Sequence, residues 1–103
     1  MTDVFLSYAR EDRPFVGRLT AALQARNRDV WVDLNDIIPS ARWMEEIRTG
    51  IIGADAVAFV ISPDSVVSEV CRIELDYAVE QSKRLVPIVA RQTPHEDVPP
   101  VLA

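Results

Sequence analysis

The sequence predicts an α/β fold, a flavodoxin-like doubly wound parallel sheet with strand order 2-1-3-4. Four short runs rich in β-branched and aromatic residues alternate with stretches of helical periodicity. The third run, AVAFVIS, has no polar alternation, which is typical of a parallel strand covered on both faces. A chain of 103 residues with 49% hydrophobic composition can build one domain of this kind.

The strands are predicted at residues 3–8 (DVFLSY), 29–33 (DVWVD), 56–62 (AVAFVIS) and 84–90 (RLVPIVA). Pro87 removes one hydrogen-bond donor from the fourth run, so we place that strand near an edge of the sheet. A helix between each pair of consecutive strands, with right-handed crossovers, gives a parallel sheet with helices on both faces.

Three apolar stripes predict the helices. They comprise Phe15, Val16, Leu19, Ala22 and Leu23 in the first, Trp43, Ile47 and Ile51 in the second, and the face from Val67 to Ala78 in the third. Ser62 and Pro63 fit an N-cap followed by a proline at the first helical position.

The last part of the chain shows no periodicity. From Gln92 onward it holds three of the seven prolines, a composition typical of loops. We therefore assign residues 1–91 to the domain core and 92–103 to a proline-rich loop or tail.

Glu74 interrupts the third apolar stripe. At about 100° per residue it falls between Val70 and Ala78, while Arg72 and Asp76 lie on the opposite, charged face. An unpaired carboxylate in an apolar interior is costly, so Glu74 has a partner or lines a cavity. The pattern leaves open a salt bridge to an arginine, a stripe edge that reaches water, and a functional carboxylate.

Composition excludes several classes of site. One cysteine and one histidine allow neither an intramolecular disulfide nor a zinc cluster of thiolates and imidazoles. A net charge of -5 with scattered Lys and Arg argues against nucleic acid as a partner.

The sequence shows no signal for a membrane span or for export. No run of about 18 apolar residues is present and the start lacks a basic signal-peptide region. We expect a cytoplasmic domain that does not contact a membrane.

Common enzyme motifs are also missing. The three glycines fall inside predicted helices rather than in a strand-to-helix turn, so a phosphate-binding loop is not expected. A phospho-acceptor receiver domain needs an aspartate at the end of the third strand, where Ser62 and Pro63 stand. A Ser/His/Asp triad would have to use His95 of the proline-rich tail.

The topology indicates where a site would lie. In such a sheet, ligands bind at the carboxyl ends of the strands where the strand order reverses, here between the first and third strands. The loops after these strands are SYARED, residues 7–12, and SPDSVVSEVCRIE, residues 62–74. Glu74 therefore falls at the predicted crevice on grounds independent of its periodicity.

An ordered set of stretches resembles the TIR (Toll/interleukin-1 receptor) domain, especially that of bacterial signalling proteins. These stretches are DVFLSYAREDRPFVGRL, RDVWVDLNDIIPSARWMEEI, ADAVAFVISPDSVVSEVCRIEL and KRLVPIV, which cover nearly all of residues 3–90. The resemblance implies the flavodoxin-like fold; the family normally continues with a fifth strand and a last helix, which we do not expect in this chain. It also implies NAD+ cleavage between nicotinamide and ribose, which many members carry out, some with cyclisation of the product.

The resemblance assigns a catalytic role to Glu74. In the NAD+-cleaving members the catalytic glutamate follows a frequent cysteine by three residues, which matches Cys71 and Glu74. Those enzymes often carry a tryptophan four residues before the glutamate, and here that position is Val70. NAD+ would be a substrate, and no resident cofactor is implied.

Further residues follow from the same resemblance. Trp43 aligns with an aromatic that can stack on nicotinamide, although its place in an apolar stripe equally suits a core residue. Ser7, Tyr8 and Arg10 lie in the loop near the nucleotide, where Arg10 could also be a solvated charge. The loop after the second strand mediates assembly with other TIR domains and can gate the site, which implicates Asp33, Asn35, Asp36, Ile37, Ile38 and Pro39.

Two other functions remain open at this point. One is a non-catalytic TIR module that signals by homotypic assembly, which Val70 in place of tryptophan favours. The other is an unrelated flavodoxin-like nucleotide or flavin binder.

Overall fold

The computed structural model describes residues 2–32 and 41–102, except for the side chains of residues 41–43. Four strands form one parallel sheet in the order β2-β1-β3-β4, which confirms the predicted fold and strand order. The elements are β1 (Thr2–Ser7), α1 (Arg13–Ala25), β2 (Val30–Val32), α2 (Ala41–Gly53), β3 (Ala54–Ile61), α3 (Glu69–Glu80) and β4 (Arg84–Val89).

The helices cover both faces of the sheet. Leu6, Ala58 and Val60 pack with Val16 of α1 on one face, because alternate residues of a strand point to opposite sides. Phe5 and Val57 pack against α2 and α3 on the other face. Ala22, which was expected in the α1 stripe, is exposed.

The two edge strands of the sheet are β4 and β2. β4 is one edge strand, as Pro87 predicted, and Val89 in it is 65% exposed. β2 is the other edge, where the Trp31 ring stacks on Phe5 with centroids 4.7 Å apart. Gly50 of α2 lies directly against this aromatic pair, so the helix approaches β2 closely.

The third helix begins later than the sequence indicated. Ser62 and Pro63 precede a 3-10 turn, Ser65–Val67, and the α3 N-cap is Ser68, whose hydroxyl accepts from the Cys71 backbone N–H. The prediction that Ser62 caps the helix was therefore wrong. Val67 lies before α3 and is 80% exposed rather than part of the apolar stripe.

Left-handed residues and a lysine side chain close the carboxyl ends of the helices. Asn27 and Ser82 adopt the left-handed conformation just after α1 and α3, with φ of 61° and 55°, as in common C-terminal caps. The Lys83 ammonium donates to the carbonyls of Ile52 and Ala54 at 2.8 and 2.9 Å. A positive charge there stabilises the carboxyl end of α2.

After β4 the described chain forms two 3-10 turns, His95–Asp97 and Pro100–Leu102, and no further strand. Leu102 is buried and packs against Phe59, Cys71 and Leu75. None of the described helices has the length and apolar content required to cross a membrane.

Candidate functional site

Glu74 is buried in the second turn of α3, with 3% of its surface exposed. The Ser68 cap sets where the helix begins, and the helical period then directs Cys71, Glu74 and Ala78 toward the sheet. The carboxylate lies near the carboxyl ends of the strands because α3 starts there.

Ser7, the last residue of β1, provides a partner for this carboxylate. Its hydroxyl donates to Glu74 Oε1 over 2.8 Å, and both residues are buried. Ser7 follows the same side of β1 as Phe5, the side that faces α3. A hydroxyl from the central strand therefore accounts for a carboxylate within an apolar stripe.

Cys71 lies one helical turn before Glu74 and is fully buried. The pKa of its thiol is raised from 9.0 to about 11, mainly by burial; the negative charges of Glu74 and Asp12 also raise it, while hydrogen bonds with Ser68 and Ser7 lower it. The thiol stays protonated at neutral pH, so Cys71 is a neutral wall of the site and not a nucleophile.

The structure also describes three further predicted site residues, which lie on different elements. Tyr8 packs against the cluster of Leu6 and Val16 on the α1 face. Arg10 is exposed in the 3-10 turn after β1. Val70 is half-buried and packs against the cluster that contains Ile47 and Ala78.

The remaining predicted residues lie outside the described part of the chain. Trp43 belongs to the first turn of α2, but its side chain is not among the described parts of the chain. The predicted assembly loop is wholly outside the described residues, namely Asp33, Asn35, Asp36, Ile37, Ile38 and Pro39.

Sequence reasoning missed a second polar cluster at the same edge of the sheet, which we call the Asp12–Arg91 cluster: Asp12, Ser62, Asp64 and Arg91. The buried Asp12 carboxylate accepts from the Ser62 hydroxyl and from Arg91 Nε, the latter at 2.9 Å. Arg91 also pairs with Asp64. Hydrogen bonds to Asp64 and Asp12 raise the pKa of the guanidinium.

One signal in the sequence could have revealed this cluster. Its members all follow strand ends at the carboxyl edge, where polar side chains of neighbouring parallel strands converge. Arg91 comes two residues after the end of β4, and Ser62 directly follows β3.

The described residues offer little else for small-molecule chemistry. No group of three or more His, Cys, Asp or Glu side chains among them could hold a metal ion. A cavity of about 750 Å³ lies between α2 and the β2 edge, away from Ser7 and Glu74; it is lined by Thr2, Trp31, Glu45, Glu46, Thr49, Gly50 and Gly53.

The arrangement of Glu74 and Ser7 suits one kind of chemistry. A buried carboxylate held by a hydroxyl provides a fixed negative charge in a poorly solvated place, where it acts strongly on a developing positive charge.

Comparisons with known proteins agree with this architecture. A model of the TIR domain family matches residues 4–103. The TIR domain of the Toll-related receptor TRR-2 from Hydra magnipapillata is 26% identical, with a TM-score of 0.82; the match covers 98% of this chain and 78% of that one. No curated protein matches significantly.

Two larger proteins are also similar. The TIR domains of the activated Roq1 resistosome, which recognises the pathogen effector XopQ, are 26% identical with a TM-score of 0.73, and the match covers 86% of this chain and 57% of that one. A TIR-STING receptor from C. gigas is 25% identical with a TM-score of 0.76, and the match covers 96% of this chain and 34% of that one.

Proposed function

Because this chain belongs to the TIR domain family of signalling modules, we propose that it cleaves NAD+ between nicotinamide and ribose. Glu74 is the catalytic carboxylate in this proposal, and NAD+ is a substrate rather than a resident cofactor. The observation that carries the proposal is the buried Glu74 carboxylate, held by Ser7 at the carboxyl ends of β1 and β3.

The reaction needs one well-placed negative charge. When the bond between ribose C1′ and the pyridinium nitrogen breaks, its electron pair stays on nitrogen and nicotinamide leaves as a neutral base. No general acid is required. The ribose becomes oxocarbenium-like, and the Glu74 carboxylate stabilises that positive charge. Water then bonds to C1′ and releases a proton to the solvent, which gives the linear product, or a nucleophile within the same molecule bonds to C1′ and gives a cyclic product.

A second candidate is a non-catalytic module that signals by assembly with other TIR domains. Val70 favours it, because this valine packs into the core cluster at the position where NAD+-cleaving relatives often carry a tryptophan. In that case the Ser7–Glu74 hydrogen bond has a structural role only.

The first test compares the parent chain with Glu74→Gln, which keeps the shape of the side chain and removes its charge. We expect nicotinamide release, followed by NMR at high protein concentration, to fall at least about 100-fold. Glu80→Gln is the matched control, since Glu80 is an exposed residue at the end of the same helix, and it should release nicotinamide at the parent rate.

Thermal unfolding of the same variants separates the two candidates. A catalytic Glu74 predicts that Glu74→Gln folds as well as the parent, because a buried charge is removed. Parent protein that releases no nicotinamide, together with Glu74→Gln destabilised by about 1 to 3 kcal/mol, supports the non-catalytic module instead.

Assembly with other copies is part of the proposed function under both candidates. If a neighbouring copy completes the site, the rate per molecule should rise steeply with protein concentration. A total rate that stays proportional to concentration contradicts this expectation.

A further inference from the structure

The Asp12–Arg91 cluster joins three separate loops at the edge of the sheet that holds Glu74. Asp12 belongs to the loop after β1, Ser62 and Asp64 to the loop after β3, and Arg91 to the chain after β4. Arg91 therefore connects the chain after β4 to the loops after β1 and β3.

The centre of this cluster is a buried charge. The Asp12 side chain is 2% exposed, while the Arg91 side chain is 46% exposed. A buried carboxylate that loses its partner leaves an uncompensated charge, which is far more costly than the loss of a surface ion pair. Arg91 is thus the solvent-side partner that makes the buried position of Asp12 tolerable.

The cluster also fixes the path of the chain into α3. The Ser62 hydroxyl, which donates to Asp12, accepts from the Ser65 N–H at 3.1 Å, and the Ser62 N–H donates to Ser65 Oγ at 2.9 Å. The turn that follows leads directly to the Ser68 cap. Six residues further on is Glu74.

Asp12 is close enough to the site for its charge to be felt there, since it is among the groups that raise the pKa of Cys71. Displacement of Asp12 or of the loop after β3 would therefore alter both the position and the electrostatic surroundings of Glu74.

We propose that Arg91 is a positioning residue for Glu74: by holding Asp12 and Asp64, it anchors the loop after β3 and so sets where α3 begins. This inference rests on the proposed function for its catalytic consequence. The anchoring itself can be measured without NAD+.

Cys71 is the probe for the anchoring. It is the only cysteine of the chain and is fully buried beside Glu74, so N-ethylmaleimide reaches it only when this region opens. Alkylation of folded Arg91→Gln should be about tenfold faster or more than that of the parent. Arg84→Gln is the control, since Arg84 is an exposed arginine at the start of β4, and it should change the rate less than about twofold.

Arg91→Lys keeps the positive charge but lacks the planar fork that reaches two carboxylates, so its alkylation rate should be intermediate. If Arg91→Gln fails to fold, the alkylation rate of Arg91→Lys is compared with that of the parent instead. Equal alkylation rates in the parent and every folded Arg91 variant overturn the proposal.

Kinetics test the catalytic consequence. Because Arg91 acts on Glu74 only through Asp12 and Asp64 in this proposal, Arg91→Gln should lower kcat about 10- to 100-fold and change KM far less. Faster alkylation with an unchanged kcat also overturns the positioning role. If the parent itself releases no nicotinamide, the proposed function fails, while faster alkylation in Arg91→Gln still supports the anchoring.

Discussion

At the scale of single residues, the protein places a carboxylate and a thiol side by side in its interior. Ser7 offers Glu74 a hydrogen bond that water would otherwise supply. Cys71 has no comparable need, because a neutral thiol behaves as a small hydrophobic group. Burial of the carboxylate therefore requires a hydrogen-bond partner, whereas burial of the thiol does not.

Burial of Cys71 predicts a loss of stability in alkaline solution. Its pKa is about 11 in the folded protein and near 9.0 when exposed, so the unfolded chain releases this proton first. The contribution that the protonated Cys71 thiol makes to the free energy of unfolding is fully present below pH 9.0 and is lost as pH rises through 11. The loss amounts to about 2 to 3 kcal/mol.

Urea unfolding at pH 8 and at pH 11 measures this effect. The free energy of unfolding of Cys71→Ser should fall less over that interval than that of the parent, because serine does not titrate there. Equal losses in the two proteins would mean that the thiol does not carry the pH dependence.

At the scale of secondary-structure elements, close packing of α2 on the β2 edge depends on one glycine. A Cβ atom at Gly50 would lie 3.0 Å from Trp31 and 3.1 Å from Phe5. Phe5 is fully buried and stacked on Trp31, so neither ring can move freely. An added methyl group would therefore force these rings to shift by a few tenths of an ångström.

We therefore expect Gly50→Ala to lower the free energy of unfolding by about 1 to 2 kcal/mol, the cost of overpacking. Gly17→Ala is the matched control in α1, where an added Cβ meets nothing within 4 Å. That variant should gain up to about 1 kcal/mol from helix propensity. Destabilisation of both variants by similar amounts in chemical denaturation would contradict the packing explanation.

The elements also show what the sequence could reveal. Apolar runs and helical stripes were sufficient for the four strands and the helices between them, because each pattern spans several residues. The strand order followed from the flavodoxin-like fold class that this alternation indicates. The place of Glu74 beside the carboxyl end of β1 followed from topology. The start of α3 did not, since Ser62 and Ser68 both suit an N-cap and only the 3-10 turn Ser65–Val67 decides between them.

The Asp12–Arg91 cluster escaped prediction for a different reason. Its two charged ends are separated by 79 positions in the chain, and loop conformations brought them together. A local pattern carries no information on such a pair. Neighbours in the sequence can also lie on opposite sides of the sheet. Ser7 faces Glu74, whereas Tyr8, just after the end of β1, packs on the α1 face.

At the scale of the whole molecule, the segment after β4 contributes to the core. Leu102 is 7% exposed and lies with Phe59 and Cys71 under α3. Val101, its neighbour, is 51% exposed. The chain from Gln92 onward is therefore irregular in structure but fastened to the domain by an apolar contact.

Leu102→Ala should lower the free energy of unfolding by about 1 to 3 kcal/mol, because it removes buried methyl groups and leaves a cavity. Val101→Ala should change it by less than about 0.5 kcal/mol, as is usual for exposed positions. Guanidinium unfolding measures both. A Leu102→Ala protein as stable as Val101→Ala would show that the segment rests on the surface without contributing to the core.

The central position of β1 has a consequence for how the chain folds. Thr2 pairs with Ala54, so the first strand gains its second neighbour only after about 50 residues of intervening chain have been closed into a loop. Loops of that length form slowly, and sheets built from distant partners fold more slowly than helical bundles. During synthesis, one side of β1 stays unpaired until β3 has left the ribosome. An unpaired strand edge favours misassembly, so we expect the nascent chain to be most prone to it in that interval.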